Sequence, residues 1–311
     1  DNLQLHQKFL HFLKLISNLD MTQIRLALDG RFSRNINDKK YDFRLSTMPT
    51  IQAESIVLRI LDNKNIDKRL DDLGLSQNIY EDLKDVLKFT QGLILISGPT
   101  GSGKTTTLYS ILKELNCDDK KIITVEDPIE YKIDSINQVP INNKVGLSFE
   151  LVLKNILRQD PDIIFIGEIR DKFSLDIALQ ASLTGHLVLA SIHSSSSVET
   201  ITRLIDLKAD PFLISTTLKA VMAQRLVLAH CKSCENGCKE CNFTKFYDRT
   251  SIAEILKIDE QISSLIFNKA SFNELKEYLK NINFKTILDD GKQKVKNGLT
   301  TLEEVYKVVN Y

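Results

Sequence analysis

Hydrophobic and polar positions change their spacing near residue 91, and the two sides of that point predict different folds. At the start, apolar residues recur at the spacing of one helix face, which predicts an amphipathic helix; they are Phe9, Phe12, Leu13, Leu15, Ile16 and Leu19. Asp29-Gly30 predicts a turn, Tyr41–Ser46 alternates like a strand, and Glu54–Leu61 predicts a second helix. Residues 1–73 are therefore expected to form a small α+β domain, followed by a linker over 74–90.

From Gln91 onward, short apolar runs alternate with helical stretches such as Asp171–Leu183. The runs that predict strands are Leu93–Ile96, Ile122–Val125, Ile163–Ile166 and Leu187–Ala190. Strands that are apolar throughout and separated by helices are typical of an α/β layer with a buried, mostly parallel sheet. The last 60 residues look helical. We therefore predict an α/β domain over 91–311 with a helical C-terminal region.

The composition is that of a folded chain without a net electrostatic preference. Its 311 residues suggest about two domains, and a hydrophobic fraction of 42% excludes a disordered class. Lys and Arg number 41, as do Asp and Glu, which gives no general attraction to nucleic acid but leaves a local patch open. There is no signal peptide, and no apolar stretch approaches the roughly 18 residues of a membrane span. Since the chain starts at Asp1 rather than Met, we expect an N-terminal part to be missing.

A phosphate-binding loop follows the first apolar run of the α/β region. Its residues are Gly98-Pro99-Thr100-Gly101-Ser102-Gly103-Lys104-Thr105, and Thr106 continues into a helical stretch. Glycines let the backbone wrap so that its N–H groups point at phosphate oxygens, and a helix N-terminus adds about half a positive charge. Lys104 can reach the β- and γ-phosphates, and Thr105 can offer its hydroxyl to Mg²⁺. The sequence therefore predicts nucleoside triphosphate binding; a glycine-rich turn that binds nothing is the alternative.

Carboxylates follow two of the other apolar runs. Glu168 comes just after Ile163–Ile166, where an acid can hold Mg²⁺ directly or through water. The segment Thr124–Glu130 holds three carboxylates, and Pro128 stiffens its turn. Because clustered carboxylates raise one another's pKa, Glu130 is a candidate general base. A surface glutamate and a solvated acidic turn are the alternatives.

Two histidines bracket a further strand candidate. His186 lies at its entry and His193 just past its end. Either ring could sense a γ-phosphate or bridge subunits, and a ring without a role is equally open. Spacing alone does not choose between these interpretations.

Four of the five cysteines lie within eleven residues, as two C-x-x-C pairs formed by Cys231, Cys234, Cys238 and Cys241. Such clustering in a nucleotide-binding chain favours a metal over disulfides, and a reducing compartment. The two pairs predict a closed Cys₄ zinc site whose short spacer can turn at Gly237. A site that has lost its metal and a redox cluster are the alternatives. Cys117 stands alone and is expected to be a packed or surface thiol.

Taken in order, these motifs resemble the secretion ATPases, general secretory pathway E-like, that drive type II secretion, type IV pilus assembly and DNA-uptake pseudopili. The resemblance covers nearly the whole chain and rests on the P-loop and on Asp29–Phe32, Arg44–Pro49, Thr124–Glu130, Ile136–Val139, Ile156–Asp162, Gly167–Asp171, Leu183–His193, Met222–Leu226 and the tetracysteine. It implies a RecA-like ATPase domain over 91–311, preceded by the family's second N-terminal domain, and a homo-hexameric ring motor that uses ATP, Mg²⁺ and Zn²⁺.

The resemblance also implies roles for residues of the ATPase domain. Glu130 matches the aspartate-box glutamate that acts as the catalytic base. Glu168 matches the glutamate of an atypical Walker B motif, which serves Mg²⁺. His186 and His193 belong to the segment that matches the histidine box.

The motor cycle implied by the resemblance involves three arginines. Arg31 and Arg44 match residues of the small domain that reach the phosphates in the closed state, and Arg249 matches a third arginine. ATP would close the small domain onto the motor domain, and phosphate release would reopen the interface. The implied partners are an inner-membrane platform protein and a cytoplasmic adaptor. The chain is thus expected in the cytoplasm, at the inner face of the bacterial cytoplasmic membrane.

Two features depart from the family pattern. The cysteine pairs are only three residues apart, whereas the family usually has a longer insertion there. Retraction motors of the same superfamily lack the tetracysteine, so its presence favours an assembly or secretion motor. The family's far N-terminal domain is absent, so the chain is expected to be either a fragment or a minimal member.

Two competing functions stay open at this point. A conjugation-type ATPase or helicase would move nucleic acid, but the zero net charge and the lack of a basic-aromatic stripe count against it. A scaffold that uses ATP only to assemble is disfavoured by the intact Lys104, Glu130 and Glu168.

Overall fold

The computed structural model of the protein describes residues 2–37, 39–61 and 68–309. The chain forms two compact units, Asp1–Asp67 and Lys68–Tyr311. This division lies before the segment 74–90, in which a linker was predicted. That segment contains helix α2, Gln77–Val86, whose Ile79, Leu83 and Val86 are buried.

The first unit is a three-stranded antiparallel sheet with a helix, formed by α1 Asn2–Ile16, β1 Leu28–Ile36, β2 Lys39–Pro49 and β3 Glu54–Leu61, in the strand order β1-β2-β3. The predicted strand at Tyr41–Ser46 is confirmed as part of β2. The helix predicted over Glu54–Leu61 is wrong, because this β-branched run pairs with β2 along its whole length. The turn predicted at Asp29-Gly30 is also wrong, since both residues lie in β1 and pair with β2.

The predicted first helix is confirmed, but its buried face differs from the predicted one. Leu10 and Leu13 are buried, whereas Phe9 and Phe12 are half exposed. Lys14 is fully buried and its Nζ lies 2.6 Å from Glu54 Oε1, an ion pair that fixes the helix against β3. The periodicity of hydrophobic residues cannot reveal a buried lysine within the apolar stripe.

The second unit contains a seven-stranded sheet in the order β10-β9-β4-β8-β7-β5-β6. Its strands are β4 Gly92–Ser97, β5 Ile122–Glu126, β6 Asn137–Pro140, β7 Ile163–Ile166, β8 Leu187–Ile192, β9 Leu218–His230 and β10 Phe246–Lys257. All neighbours pair in parallel except β9 and β10, so the predicted parallel sheet is confirmed. The sequence predicted β4, β5, β7 and β8 but not β6, β9 or β10.

Helices cover both faces of this sheet, and beyond α2 they are α3 Lys104–Leu115, α4 Phe149–Ile156, α5 Lys172–Leu183, α6 Ser197–Asp206, α7 Pro211–Thr217, α8 Glu260–Phe267, α9 Phe272–Asn281, α10 Ile287–Lys296 and α11 Leu302–Val309. One buried cluster joins the sheet to α2 and α3, and another joins it to α4 through α9. Burial on both faces explains why the strands read as continuous apolar runs. The C-terminal helical region is confirmed from Glu260 onward.

Parallel pairing determines where the functional residues meet. Since β4, β5, β7 and β8 run in the same direction, the loops after all four strands emerge at one edge of the sheet. The P-loop follows β4, the acidic segment follows β5, Glu168 follows β7, and His193 follows β8.

Candidate nucleotide-binding site

The P-loop connects β4 to α3 and uses its glycines for left-handed backbone. Gly101 and Gly103 have φ values of 81° and 91°, and Gly103 is the N-cap of α3. A Cβ at Gly103 would stand 2.7 Å from Gln224 Nε2, so a larger residue does not fit there. Pro99, Thr100 and Thr105 are exposed at this helix N-terminus. The loop thus presents the backbone N–H groups and hydroxyl that an anion needs.

Lys104 lies over the loop at the start of α3. Its Nζ donates to the carbonyl oxygens of Gly98 at 2.7 Å and Pro99 at 3.1 Å. Burial lowers the pKa of Lys104, and the negative charge of Glu168 opposes that effect. The ammonium group is thus held at the mouth of the loop with few competing counter-charges, which suits phosphate binding.

Glu168 and His193 meet beside the P-loop. Glu168 Oε1 lies 3.0 Å from His193 Nε2, and Glu168 Oε2 accepts a hydrogen bond from Arg170 Nε at 2.7 Å. His193 Nδ1 lies 3.1 Å from the Gly98 carbonyl oxygen and 3.5 Å from Lys104 Nζ. Lys104, Glu168 and His193 therefore lie in one cluster. Arg170 was not singled out from the sequence, although it lies only two positions after Glu168.

The acidic segment after β5 is held in place by a buried tyrosine of α3. The hydroxyl of Tyr109 donates to Glu126 Oε2 and accepts from the backbone N–H of Glu130 at 3.3 Å. Glu126 also accepts from Thr124 Oγ1 at 2.6 Å, and its burial raises its pKa. Glu130 itself is only half buried. Spacing along the chain contains no signal for Tyr109, because its role depends on a contact between α3 and the loop after β5.

His186 is not part of this cluster. Its carbonyl oxygen accepts from Gly92 N at 3.1 Å, at the opposite end of β4 from the P-loop. With a rise of about 3.3 Å per residue, the two histidines stand roughly 20 Å apart along β8. His186 Nδ1 lies 2.9 Å from the Ala181 carbonyl oxygen, which caps the end of α5. Sensing of a γ-phosphate in the P-loop of the same chain is thus excluded for His186.

Three arginines of the first unit share one face of its sheet. Arg31 pairs with Arg44, and Arg44 pairs with Arg59, so the three lie in one row across β1, β2 and β3. Residues in direct register point to the same face. The family resemblance implies roles for Arg31 and Arg44 but not for Arg59, whose place in the row is set by strand pairing.

Arg249 lies on the hairpin formed by β9 and β10. Ala223 pairs with Ser97 at the carboxyl end of β4, and Arg249 pairs with Leu228, five residues further along β9. The backbone of Arg249 is thus about 16 Å beyond the end of β4. Arg249 is exposed, and Lys68 forms an ion pair with the neighbouring Asp248 at 3.6 Å. The structure does not bring Arg249 into the cluster around Lys104.

The four cysteines converge beyond the ends of the same two strands. Their Sγ atoms all lie within 4.8 Å of one another, with 3.9 Å between Cys231 and Cys238 and 3.6 Å between Cys234 and Cys241. Four thiolates bound tetrahedrally to zinc at about 2.3 Å would stand about 3.8 Å apart. Gly237 makes the tight turn with φ 103°, because a Cβ there would lie 2.9 Å from the Phe243 carbonyl oxygen. The donor set and its separations fit a zinc ion.

A backbone hydrogen bond favours the thiolate form of one of these cysteines. Cys241 Sγ accepts from the backbone N–H of Cys238 at 3.2 Å, and this bond lowers the pKa of Cys241 to about 6.

Cys117 is a separate, exposed thiol, which agrees with the expectation of a packed or surface position. Within the described residues, no helix has the length and apolar character needed to cross a bilayer.

Comparison with known proteins identifies the family. The family model for Type II/IV secretion system proteins matches residues 1–307. Type II secretion system protein HxcR of Pseudomonas aeruginosa is 40% identical over 313 residues, which cover 98% of this chain and 67% of that protein. Type II secretion system ATPase E of Vibrio cholerae is 40% identical over 321 residues, which cover 95% of this chain and 64% of that protein.

The fold is similar to that of a solved pilus motor. The crystal structure of the pilus retraction motor PilT with bound ADP superposes with a TM-score of 0.72 at 28% identity, over 91% of this chain and 78% of that chain. The chain spans about two thirds of the length of the curated relatives it matches. The P-loop geometry, the parallel sheet and the match over residues 1–307 agree with one another. This chain belongs to the Type II/IV secretion system protein family.

Proposed function

We propose that this chain is the ATP-hydrolysing part of a hexameric motor that powers the assembly of a pilus-like fibre for secretion, pilus formation or DNA uptake. The observation that carries the proposal is the cluster of Lys104, Glu168 and His193 beside the P-loop. Family membership supports the same function, since one relative is named an ATPase of type II secretion.

The P-loop residues are proposed to bind ATP. Backbone N–H groups from Gly98 to Thr106 surround the phosphates, and Lys104 binds the β- and γ-phosphates once it releases the Gly98 carbonyl oxygen. Thr105 and Glu168 would hold Mg²⁺, directly or through water. When bound, this ion neutralises charge on the phosphate oxygens.

Glu130 is proposed as the general base. It takes a proton from the attacking water, and the bond between the γ-phosphorus and its bridging oxygen breaks as the new P–O bond forms. This role for Glu130 is supported by its fixed backbone, since the Glu130 N–H donates to the Tyr109 hydroxyl. His193, between Glu168 and the Gly98 carbonyl oxygen, is proposed to respond to the γ-phosphate.

Arg31, Arg44 and Arg249 are proposed to stabilise phosphate charge when the ring closes. A guanidinium is always charged and binds phosphate oxygens in pairs. The position of Arg249 on a hairpin well beyond the end of β4 supports a contact with the nucleotide of a neighbouring subunit. A catalytic site completed between subunits supports a homo-hexamer. Since His186 lies away from the P-loop of its own chain, it is proposed as a candidate for contacts between subunits.

The partners of the motor are proposed to be an inner-membrane platform protein and its cytoplasmic adaptor. The chain would then work in the bacterial cytoplasm, bound peripherally to the membrane. The type II secretion names of its relatives support this assignment.

The main test measures Mg²⁺-dependent ATP turnover against protein concentration, in this chain and in the full-length protein. We expect specific activity to rise with concentration, because subunits complete one another's sites. Glu130→Gln should abolish turnover but retain nucleotide binding, whereas Glu150→Gln, an exposed acid paired with Lys154, should change neither. Activity that is independent of concentration in both proteins, or a fully active Glu130→Gln, would refute the motor mechanism.

We also propose that Cys231, Cys234, Cys238 and Cys241 hold a structural zinc ion. When bound, zinc would cross-link the loop between β9 and β10. We expect about one zinc per chain by elemental analysis, lost in Cys238→Ser and retained in Cys117→Ser. Removal of the metal by a chelator should lower the melting temperature. Purified wild-type protein that neither contains zinc nor takes it up would refute the site.

A further inference from the structure

Strand β9 contains two consecutive polar residues whose side chains are both buried. Gln224 is 2% exposed and Arg225 is 7% exposed, and their neighbours on both sides are apolar. Side chains alternate along a strand, so the two point to opposite faces of the sheet. Burying an amide and a guanidinium is costly unless each is hydrogen-bonded. The hydrogen-bond partners of Gln224 and Arg225 therefore indicate what the two side chains do.

Gln224 holds the P-loop and the first turn of α3 together. Its Nε2 donates to the Ser102 carbonyl oxygen at 3.0 Å, and its Oε1 accepts from Thr107 Oγ1 at 2.7 Å. Its own carbonyl oxygen would stand 2.6 Å from a Cβ at Gly98. Both ends of one amide are thus used by the loop and the helix that follows it, and two P-loop glycines fit around this residue.

Arg225 holds the loop after β8 on the other face. Its Nη1 donates to the Gln224 carbonyl oxygen at 2.9 Å and its Nη2 to the Ser195 carbonyl oxygen at 2.8 Å. Ser195 comes two residues after His193 in the chain. Burial lowers the pKa of Arg225, and the charge of Glu254 opposes it. Glu254 in turn accepts from Ser197 N and Ser197 Oγ at 2.7 Å each, at the start of α6.

We propose that Gln224 and Arg225 are positioning residues that set the separation between the P-loop and the loop carrying His193. Gln224 keeps the loop in its phosphate-binding conformation, and Arg225 keeps His193 beside Lys104 and Glu168. The inference rests on the proposed nucleotide site, which it extends by two residues. Neither side chain is assigned a contact with nucleotide. Because Gln224 holds the P-loop and Arg225 holds the loop that carries His193, the two should affect different steps.

The first experiment measures the affinity of a fluorescent ADP analogue with Mg²⁺. Gln224→Met keeps the volume but removes both hydrogen bonds, and we expect affinity to fall about tenfold. Gln224→Glu removes only the donor to Ser102, and it should weaken binding at neutral pH. As the pH is lowered, the introduced carboxyl takes up a proton and can donate again, so affinity relative to wild type should recover. Gln224→Met should show no such recovery.

Two threonines provide a milder variant and a matched control. Thr107→Val removes the hydroxyl that donates to Gln224 and should also weaken ADP binding, by about threefold. Thr217→Val removes an equally buried hydroxyl, which donates to the Leu213 carbonyl oxygen at 2.7 Å, far from the P-loop in the chain. It should leave affinity unchanged. If affinity falls only in proportion to melting temperature in all variants, the residues are merely structural and the inference is wrong.

The second experiment separates binding from turnover. Arg225→Lys keeps the charge but cannot span both carbonyl oxygens, and we expect kcat to fall about tenfold with ADP affinity near that of wild type. Equal losses of both quantities would contradict separate roles for the two residues. Wild-type protein that binds no ADP would overturn the proposed function and this inference together. Wild-type binding with unaffected Gln224 and Thr107 variants would overturn the inference alone.

Discussion

His186 and His193 show how position decides the role of a side chain. Both flank β8, and they have the same chemistry. His193 emerges at the carboxyl edge of the sheet, within hydrogen-bonding distance of Glu168, while His186 remains at the other edge beside Gly92. Only the first can respond to a phosphate group bound at the P-loop of its own chain.

This difference predicts unequal effects on nucleotide discrimination. His193→Ala should reduce the preference for a non-hydrolysable ATP analogue over ADP by about fivefold or more, because the proposed contact with the γ-phosphate would be lost. His186→Ala should retain the wild-type preference. Both affinities can be measured by calorimetry with Mg²⁺ present. Equal preferences in wild type and His193→Ala would exclude a sensor role.

The buried carboxylate of Glu126 predicts a pH dependence of stability. Burial raises its pKa above the ordinary value of 4.5, so the folded chain binds this proton more tightly than the unfolded chain. The stabilisation is fully present below 4.5 and is lost as the pH rises through the folded-state pKa. Urea unfolding should show wild type losing stability relative to Glu126→Gln as the pH rises above 4.5. A constant difference over that range would contradict this prediction.

At the scale of elements, strand register creates features that no single segment contains. Pairing of β1, β2 and β3 aligns Arg31, Arg44 and Arg59 in one row. Like charges directly opposite each other destabilise a sheet by several tenths of a kcal/mol, up to about 1 kcal/mol. Such a row also presents three guanidinium groups on one face, where an anionic ligand could bind.

We expect Arg59→Gln to lower ATP turnover, as Arg31→Gln and Arg44→Gln should, because all three guanidinium groups lie on the same face. The same change should leave the first unit as stable as before or slightly more stable, by about 0.2–1 kcal/mol. Arg34→Gln is the matched control, since Arg34 alternates to the other face of β1. Turnover and chemical denaturation are measured together. Unaltered ATP turnover in Arg59→Gln would show that Arg59 does not contribute to ATP hydrolysis.

At the scale of the whole molecule, charge is balanced overall and mixed in sign locally. The chain has 41 basic and 41 acidic residues. A groove of about 1700 Å³ near the tetracysteine is lined by Lys68, Lys232, Arg249, Lys280, Lys285, Lys292, Lys294 and Lys296, but also by Asp72, Glu240, Asp248, Asp289 and Asp290. This mixed lining lacks the continuous positive surface that follows a nucleic-acid backbone.

We therefore expect DNA to leave ATP turnover unchanged. Single- and double-stranded DNA would be added at low and at physiological salt, because electrostatic binding is strongest at low salt. Glu130→Gln serves as the inactive reference. Stimulation of several fold that disappears with rising salt would favour a nucleic-acid-translocating ATPase over a fibre-assembly motor.

The sequence by itself determined the P-loop, the four central strands and the spacing of the four clustered cysteines. These are local properties: a strand buried on both faces must be apolar, and phosphate binding needs glycines next to a lysine. It was misleading where short apolar runs fit either a helix or a strand, as at Glu54–Leu61. It also missed β9 and β10, in which buried polar residues such as Gln224 and Glu254 interrupt the apolar pattern.

Only the tertiary structure decided which residues meet. Strand order brings the end of β8, and with it His193, beside Lys104, whereas His186 lies at the other end of the same strand. Register adds Arg59 to the arginine row, and contacts between elements reveal Tyr109 and Gln224. The physical reason is that hydrogen bonds between distant segments depend on pairing and packing, whereas the spacing of residues along the chain reports only local periodicity. The chemistry at the P-loop could thus be predicted from residues, but its supporting contacts could not.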